Sequence, residues 1–395
     1  MKKILFVDTG REYGGGTKSF LYLLRGLAAQ QKYELCAFFE TDYEAGGRKI
    51  SQIIEEAGAK FIKFEPKKQP SKLKKELLRA LGGQILAKYL YKKDCDYALC
   101  LLRQVRPDVV HLNNHFSTNL AYIAAANALN IAVVQHLRKN SAVEPFKLEI
   151  LKRLKFTPVC VSNATYEFYA AQIKMPKNVV YNPVEAPVLR REKSETSKNL
   201  SPSQANLKNS GDDKSAALKA KFNAEKINIV MPANFLTLKG HELVFDALAE
   251  LKRSDIKVYF AGGGELKAGA KAKFDALIRS GKAEYLGFVS KMDEIYAACD
   301  YVLGFSSDEG LPRVVIEALG CGLGVVYSDI AVIREIYEIS SKKQDFFIVQ
   351  RSSDALLACF ESLRKPASKS PDDAVIKAFS IENYLRGIDR IYSEL

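Results

Sequence analysis

Glu309 and Glu317 lie eight residues apart, on either side of a helix-start signal, within the stretch 306–329. The residues before it, 300–305, are apolar and β-prone and predict a buried strand. Residues 306–310 are polar and predict a loop. Pro312 suits a first helical turn, where its missing N–H costs nothing. Val315, Ile316 and Leu319 recur at helical spacing, Gly320, Gly322 and Gly324 stop the helix, and residues 325–327 start another strand. A helix N-terminus exposes free N–H groups and carries roughly half a positive charge, which suits a phosphate. An acid beside that terminus and another more than a turn inside could hold the hydroxyls of a sugar nucleotide while the amides hold its diphosphate. The plainer alternative is a helix-start acid at 309 and a solvated or capping residue at 317. Spacing alone leaves both open.

Elements elsewhere must supply the rest of such a site. Residues 4–8 predict a strand, Gly14, Gly15, Gly16 and Thr17 follow, and residues 19–27 carry the apolar stripe of a helix. Strand, glycine-rich loop and helix open a doubly wound α/β domain, with the loop at the strand end where ligands bind. The spacing is not the dinucleotide fingerprint, and a surface loop is the alternative. Further strands are predicted at 35–39, 60–64, 106–111, 131–136, 159–162 and 179–184, with a helix at 121–129. His111, His115 and His136 then all fall at strand ends facing a ligand crevice. The second half restarts the alternation. Strands are expected at 227–233, 256–261, 283–289 and 346–349, and helices at 274–278, 292–298, 353–363 and 381–395. Lys239 and Gly240 open a helix running to Leu251. Residues 190–220 are rich in Ser, Lys, Asn and Asp and read as a flexible insert.

The 395 residues suggest two or three domains. The hydrophobic share of 47% and charged share of 27% are those of a soluble globular protein. No apolar run approaches the ~20 residues that span a bilayer. The apolar run after Met1-Lys2-Lys3 is too short for a signal sequence. Seven scattered cysteines with no Cys-x-x-Cys pair, and four dispersed histidines, argue against a zinc site and for reduced thiols. The net charge of +13 speaks to partners. Residues 63–93 hold ten lysines and arginines against Glu65 and Glu76, with leucines threaded through at helical spacing. A basic amphipathic helix fits an anionic membrane face; a helix packed on its own domain needs the same stripe. Gly82 and Gly83 would weaken or bend it. Residues 146–156 are a second basic helix candidate. No nucleic-acid motif is present, and a nucleic-acid reading rests on charge alone.

The residues resemble the retaining glycosyltransferases of family 4, which have two facing Rossmann-like domains, the GT-B fold. Glu309-Gly310-Leu311-Pro312 with Glu317-Ala318 is similar to that family's two-glutamate motif. Gly14-Gly15-Gly16, Lys239-Gly240, Asn182-Pro183-Val184, Gly262-Gly263-Gly264 and Leu286-Gly287-Phe288-Val289 match its other landmarks in order. The resemblance covers nearly the whole chain outside the insert.

It implies an α/β fold of two doubly wound, parallel-sheet domains with a cleft between them. Residues 1–185 would bind the acceptor and 225–375 the nucleotide sugar. Residues 186–224 would link them, and the helix at 376–395 would pack back on the first. Glu309, His136 and Lys239 would be catalytic: Glu309 and His136 on the donor sugar, Lys239 on the leaving phosphate. Glu317 would hold the ribose. The amides of Arg313 and Val314, with Gly15, Gly16, Gly310, Leu311, Asn234, Gly263 and Val289, would complete the donor site. No metal and no cofactor are implied, and a UDP-sugar donor is favoured. The acceptor would be a glycan, lipid-linked or of lipopolysaccharide type, with residues 63–93 and 146–156 on an anionic membrane and no nucleic acid bound. The protein would be cytoplasmic, at the inner membrane face. Two departures stand out: Asn234-Phe235 occupies the region where the family usually has an arginine, and Pro312 replaces a frequent glycine. The alternatives are an inactive nucleotide-sugar or glycan-binding relative and a GT-B nucleotide-sugar epimerase.

Overall fold

The computed structural model describes every residue except 12, 185–221, 290 and 367. The chain divides into two compact units, Met1–Pro183 with Phe379–Leu395, and Val184–Ala378. Most of the stretch expected as an insert, 186–224, lies outside the described residues.

Apart from a short antiparallel pair, β3 (Glu44–Ala45) and β4 (Arg48–Lys49), the first unit is built on strands β1 (Lys2–Asp8), β2 (Tyr33–Phe39), β5 (Lys60–Phe61), β6 (Val109–Leu112), β7 (Ala132–Leu137) and β8 (Thr157–Cys160). They form one parallel sheet in the order β5-β2-β1-β6-β7-β8. A strand covered on both faces reads as an unbroken apolar run. Residues 4–7 of β1 are such a run and are fully buried. Because side chains alternate, Leu5 and Val7 join one core with the helices Gly83–Val105 and Phe116–Ala128. Ile4 and Phe6 join the other, with the helices Gly15–Gln30 and Ile381–Ser393. The chain's last helix therefore belongs to the first unit's core. A Cβ on Gly26 would lie 2.5 Å from Leu385 Cδ1, so any larger residue where these two helices meet would push Leu385 aside.

Several elements differ from expectation. The basic stretch is two helices, Lys72–Ala80 and Gly83–Val105, parted by Gly82 at φ +136°, a conformation that L side chains rarely adopt. The second basic helix is only Pro145–Leu151. The strand expected at 60–64 is two residues long. That expected at 179–184 is a single bridge from Val179 to Cys160, beyond which residues 180–184 form no strand.

The second unit repeats the plan with β9 (Ile227–Pro232), β10 (Ile256–Ala261), β11 (Ala283–Gly287), β12 (Tyr301–Gly304), β13 (Gly324–Ser328) and β14 (Phe346–Val349), ordered β11-β10-β9-β12-β13-β14 and parallel throughout. In each sheet the order reverses beside the unit's first strand, between β1 and β6 and between β9 and β12. Such switch points open a crevice at the strands' carboxyl ends, where open α/β sheets bind ligands.

Candidate active site

In the second unit, the loops that leave β9, β10 and β12 are tied together at the switch point. Lys239 ends a 3-10 turn, Thr237–Lys239, rather than opening the helix, which starts at His241. Gly240 follows at φ +71°, and a Cβ there would lie 2.3 Å from the Phe305 carbonyl oxygen. Ser307 donates its N–H to Leu238 O at 2.8 Å. Asn234 Oδ1 accepts the Gly263 N–H at 2.9 Å, and Phe235 donates to Gly263 O at 2.8 Å. Gly240→Ala should therefore cost the second unit more than about 2 kcal/mol, from backbone strain plus a clash with fixed backbone. Urea unfolding of the variant against the parent measures this.

This stitching brings Lys239 Nζ onto Glu309 Oε1 as a close ion pair, both side chains about four-fifths buried. The same oxygen accepts from Ser306 Oγ at 2.8 Å and from Tyr327 OH at 3.4 Å. Ser306 is itself anchored, its carbonyl accepting from Ser328 Oγ at 2.6 Å. Burial first, then the Glu309 charge, holds the Tyr327 phenol well above its ordinary pKa, so it stays a neutral donor. The helix Arg313–Gly320 begins directly after this loop, with Pro312 at its N-cap. Glu317 lies within it, paired to Arg313 at 3.6 Å and accepting from Tyr296 OH at 3.3 Å. Gly310 is buried, Leu311, Val314, Gly263 and Val289 are half-buried, and Asn234 is exposed.

In the first unit, the switch point holds a polar cluster that sequence reasoning caught at His111, His136, Asn182 and the glycine loop but not as a network. Asp8 at the end of β1 accepts from Asn113 Nδ2 at 2.6 Å, Asn114 Nδ2 at 2.8 Å and the Gly10 N–H at 2.6 Å. Asn113 also accepts from Arg138 Nε, so one amide bridges the carboxylate and the guanidinium. Arg138 is buried, and its hydrogen-bond partners among the described residues are neutral: Asn113, Asn182, His136 and, at 2.9 Å, Tyr384 OH. Gly16 packs on it, since a Cβ there would lie 3.6 Å from Arg138 Cδ, while Gly15 is exposed. Beside it, His111 Nδ1 lies 2.6 Å from Tyr392 OH, and His111 Nε2 lies 3.2 Å from His136 Nδ1. Burial, then the Arg138 charge, lowers the His111 pKa to about 3; burial, then Arg138, then His111, lowers that of His136 well below its usual value. Both rings are therefore neutral. His136 Nε2 is buried with no hydrogen-bond partner among the described residues, an arrangement costing about 1–3 kcal/mol unless a ligand supplies one. His115 instead stands at the N-cap position of the helix Phe116–Ala128, without a side-chain capping hydrogen bond, and outside the cluster. Arg138 was not singled out from the sequence, although its place directly after a strand was a signal for it. Tyr384 and Tyr392 had none.

Residues 213–375 match the model of the family described as Glycosyl transferases group 1. That match contains Lys239, Glu309 and Glu317; His136 and the glycine loop precede it. A curated relative is N-acetylgalactosamine-N,N'-diacetylbacillosaminyl-diphospho-undecaprenol 4-alpha-N-acetylgalactosaminyltransferase of Campylobacter jejuni. It is 35% identical over 91 residues, which is 23% of this chain and 25% of that protein. The match thus spans a quarter of the relative's length. Among solved structures, Anabaena Alr3699/HepE in complex with UDP and glucose is similar over 100% of both chains, with TM-score 0.70 and 17% identity. A glycosyltransferase from Rickettsia africae gives TM-score 0.72 and 17% identity over 100% of this chain and 98% of that one. The lipopolysaccharide outer core galactosyltransferase WaaB gives 0.66 and 14% over 100% of both. The two Rossmann-like parallel sheets thus have the GT-B fold of these structures.

Proposed function

We propose that the chain is a retaining, metal-independent glycosyltransferase that moves a sugar from a nucleotide-sugar donor, a UDP-sugar by preference, to a lipid-linked or lipopolysaccharide-type glycan. The observation that carries this is the Lys239–Glu309 pair, fixed by Ser306 and Tyr327 in the loop that leads into the helix Arg313–Gly320. Lys239 and the helix amides offset charge on the leaving diphosphate, where preorganised donors act most strongly. Glu317 takes the ribose hydroxyls. Glu309 and His136 face the donor sugar. Asn234, Gly263 and Val289 flank the nucleotide. The bond from the anomeric carbon to the phosphate oxygen breaks, and its electron pair leaves on that oxygen. The acceptor oxygen bonds to the same face of the carbon, and its proton passes to the departing phosphate. The names of the Campylobacter jejuni relative and of WaaB support a lipid-borne acceptor.

The test is thermal stability with UDP-, GDP- and ADP-sugars, followed by analysis of the product's anomeric configuration. A matching donor at a hundred times its Kd adds about 2.7 kcal/mol. No stabilisation by any of the three, or an inverted product, would sink the reading.

We also assign the anionic membrane contact to the basic stretch 63–93. No helix among the described residues is long and apolar enough to cross a membrane. The helix Lys72–Ala80 buries no residue, and Leu73, Leu77, Leu81 and Ile85 are 78%, 62%, 63% and 47% exposed. Leu73, Leu77 and Leu81 recur every four residues along that helix and its C-cap, with Lys72, Lys74, Lys75 and Arg79 around them, and Ile85 follows beyond the break at Gly82. That is an apolar ridge with cations beside it, suited to the interface of the cytoplasmic leaflet. In 146–156, by contrast, Lys147 and Lys152 are paired to Glu144 and Glu149 at 3.5 and 2.7 Å, so that segment contributes less. In flotation with phosphatidylglycerol vesicles at low salt the protein should rise with the lipid, and Leu73→Asp/Leu77→Asp should stay behind. Equal behaviour of the two would refute the assignment.

A further inference from the structure

The hydrogen bonds around His136 leave it one tautomer. A guanidinium donates and never accepts, and Arg138 Nη2 lies 3.3 Å from His136 Nδ1. That nitrogen must therefore carry a lone pair. It also lies 3.2 Å from His111 Nε2, which then has to be the N–H of its own ring. His111 Nδ1 is left with a lone pair and accepts from the Tyr392 hydroxyl at 2.6 Å. The donors run in one direction, from Tyr392 through His111 to His136, with Arg138 as a second donor onto the same atom. A neutral His136 then bears its proton on Nε2, the buried atom for which the described residues offer no acceptor.

We propose that Tyr392, His111 and Arg138 hold His136 as a neutral Nε2–H donor to an oxygen of the bound ligand. His136 then has no lone pair to offer as a general base. Arg138, His111 and Tyr392 are positioning residues, and Tyr392 gives the last helix of the chain a part in the site. The identity of the oxygen, a hydroxyl or phosphate oxygen of a sugar nucleotide, rests on the glycosyltransferase reading; the tautomer does not.

Long-range proton–nitrogen spectra of the full chain labelled with 15N-histidine test this. The His136 signals are identified by their loss in His136→Gln. Between pH 6 and 8 they should show one neutral ring protonated at Nε2, and His111 the same. In Arg138→Met the donor chain is free to run the other way, and a second tautomer should appear on both rings. If that variant fails to fold, the parent spectrum still decides: a ring protonated at Nδ1, or an imidazolium, overturns the proposal. Activity gives a separate arm. A glutamine amide can put an N–H near the position of imidazole Nε2, so His136→Gln should retain clearly more transfer than His136→Ala, whose loss should be about 10²- to 10³-fold. Equal losses in the two variants would overturn the donor role. An Nε2–H spectrum in a protein that transfers no sugar would uphold the tautomer and overturn the sugar-transfer reading alone.

Discussion

Lys239→Ala should lower kcat for sugar transfer by about 10²- to 10³-fold, the range seen when one preorganised charge stabiliser is removed. The KM for the donor should change less, because the lysine acts mainly on charge that develops as the phosphate departs. The fold should survive, since Lys239 lies at the end of a short turn and keeps a fifth or more of its side chain in solvent. Glu309 would still accept from Ser306 and Tyr327. The pair should also be non-additive: Lys239→Ala/Glu309→Ala should lose less than the product of the two single losses, because each change removes the same ion pair. Steady-state kinetics on the two single variants and the double variant measure this. A kcat within threefold of the parent for Lys239→Ala would remove the lysine from the chemistry.

The second large effect is loss of stability in mild acid. All four histidines have pKa values below the ordinary 6.5: His111 at about 3, His241 at about 4, and His136 and His115 lowered, in each case chiefly by burial. The unfolded chain takes up these protons below pH 6.5 and the folded chain does not, so stability is full above that pH and falls as the pH drops toward the folded values. Each pH unit costs about 1.4 kcal/mol per fully neutral histidine, or about 2 kcal/mol at pH 5. The first unit carries His111, His115 and His136 and should lose about 2 kcal/mol from His111 with a further loss from the other two, against about 2 kcal/mol for the second unit from His241. Urea unfolding at pH 7 and pH 5, with a probe in each unit, reads the difference. His111→Gln should flatten the first unit's dependence. A first unit as stable at pH 5 as at pH 7 would contradict the buried, neutral histidine pair.

The elements were legible wherever period and composition act locally. The runs at 256–261, 292–298 and 346–349 form at the residues expected, because a buried strand or a short helix is specified by its own side chains. The helix after Pro312 was legible for the same reason. The glycines expected as a loop before the helix at 19–27 instead open the helix itself, with Gly14 at its N-cap and Gly15–Gln30 helical. Boundaries set by neighbours were not legible. The strand expected at 179–184 lost its ladder beyond one bridge. Gly82 turned an expected bend into a break between two helices.

The site divides along the same line. The residue types of Glu309, Glu317, Lys239 and His136, and their places after strands, could be read directly from the chain. Which of them touch could not. Lys239 meets Glu309 across seventy residues because β9 and β12 are neighbours in the sheet. Arg138 meets Tyr384 across 246 residues and His111 meets Tyr392 across 281, because the last helix packs on the first sheet. Local pattern specifies which groups stand at a strand end, since periodicity and turn chemistry act over a few residues. Only the packed sheets decide which strand ends are adjacent, and with that which proton each histidine holds.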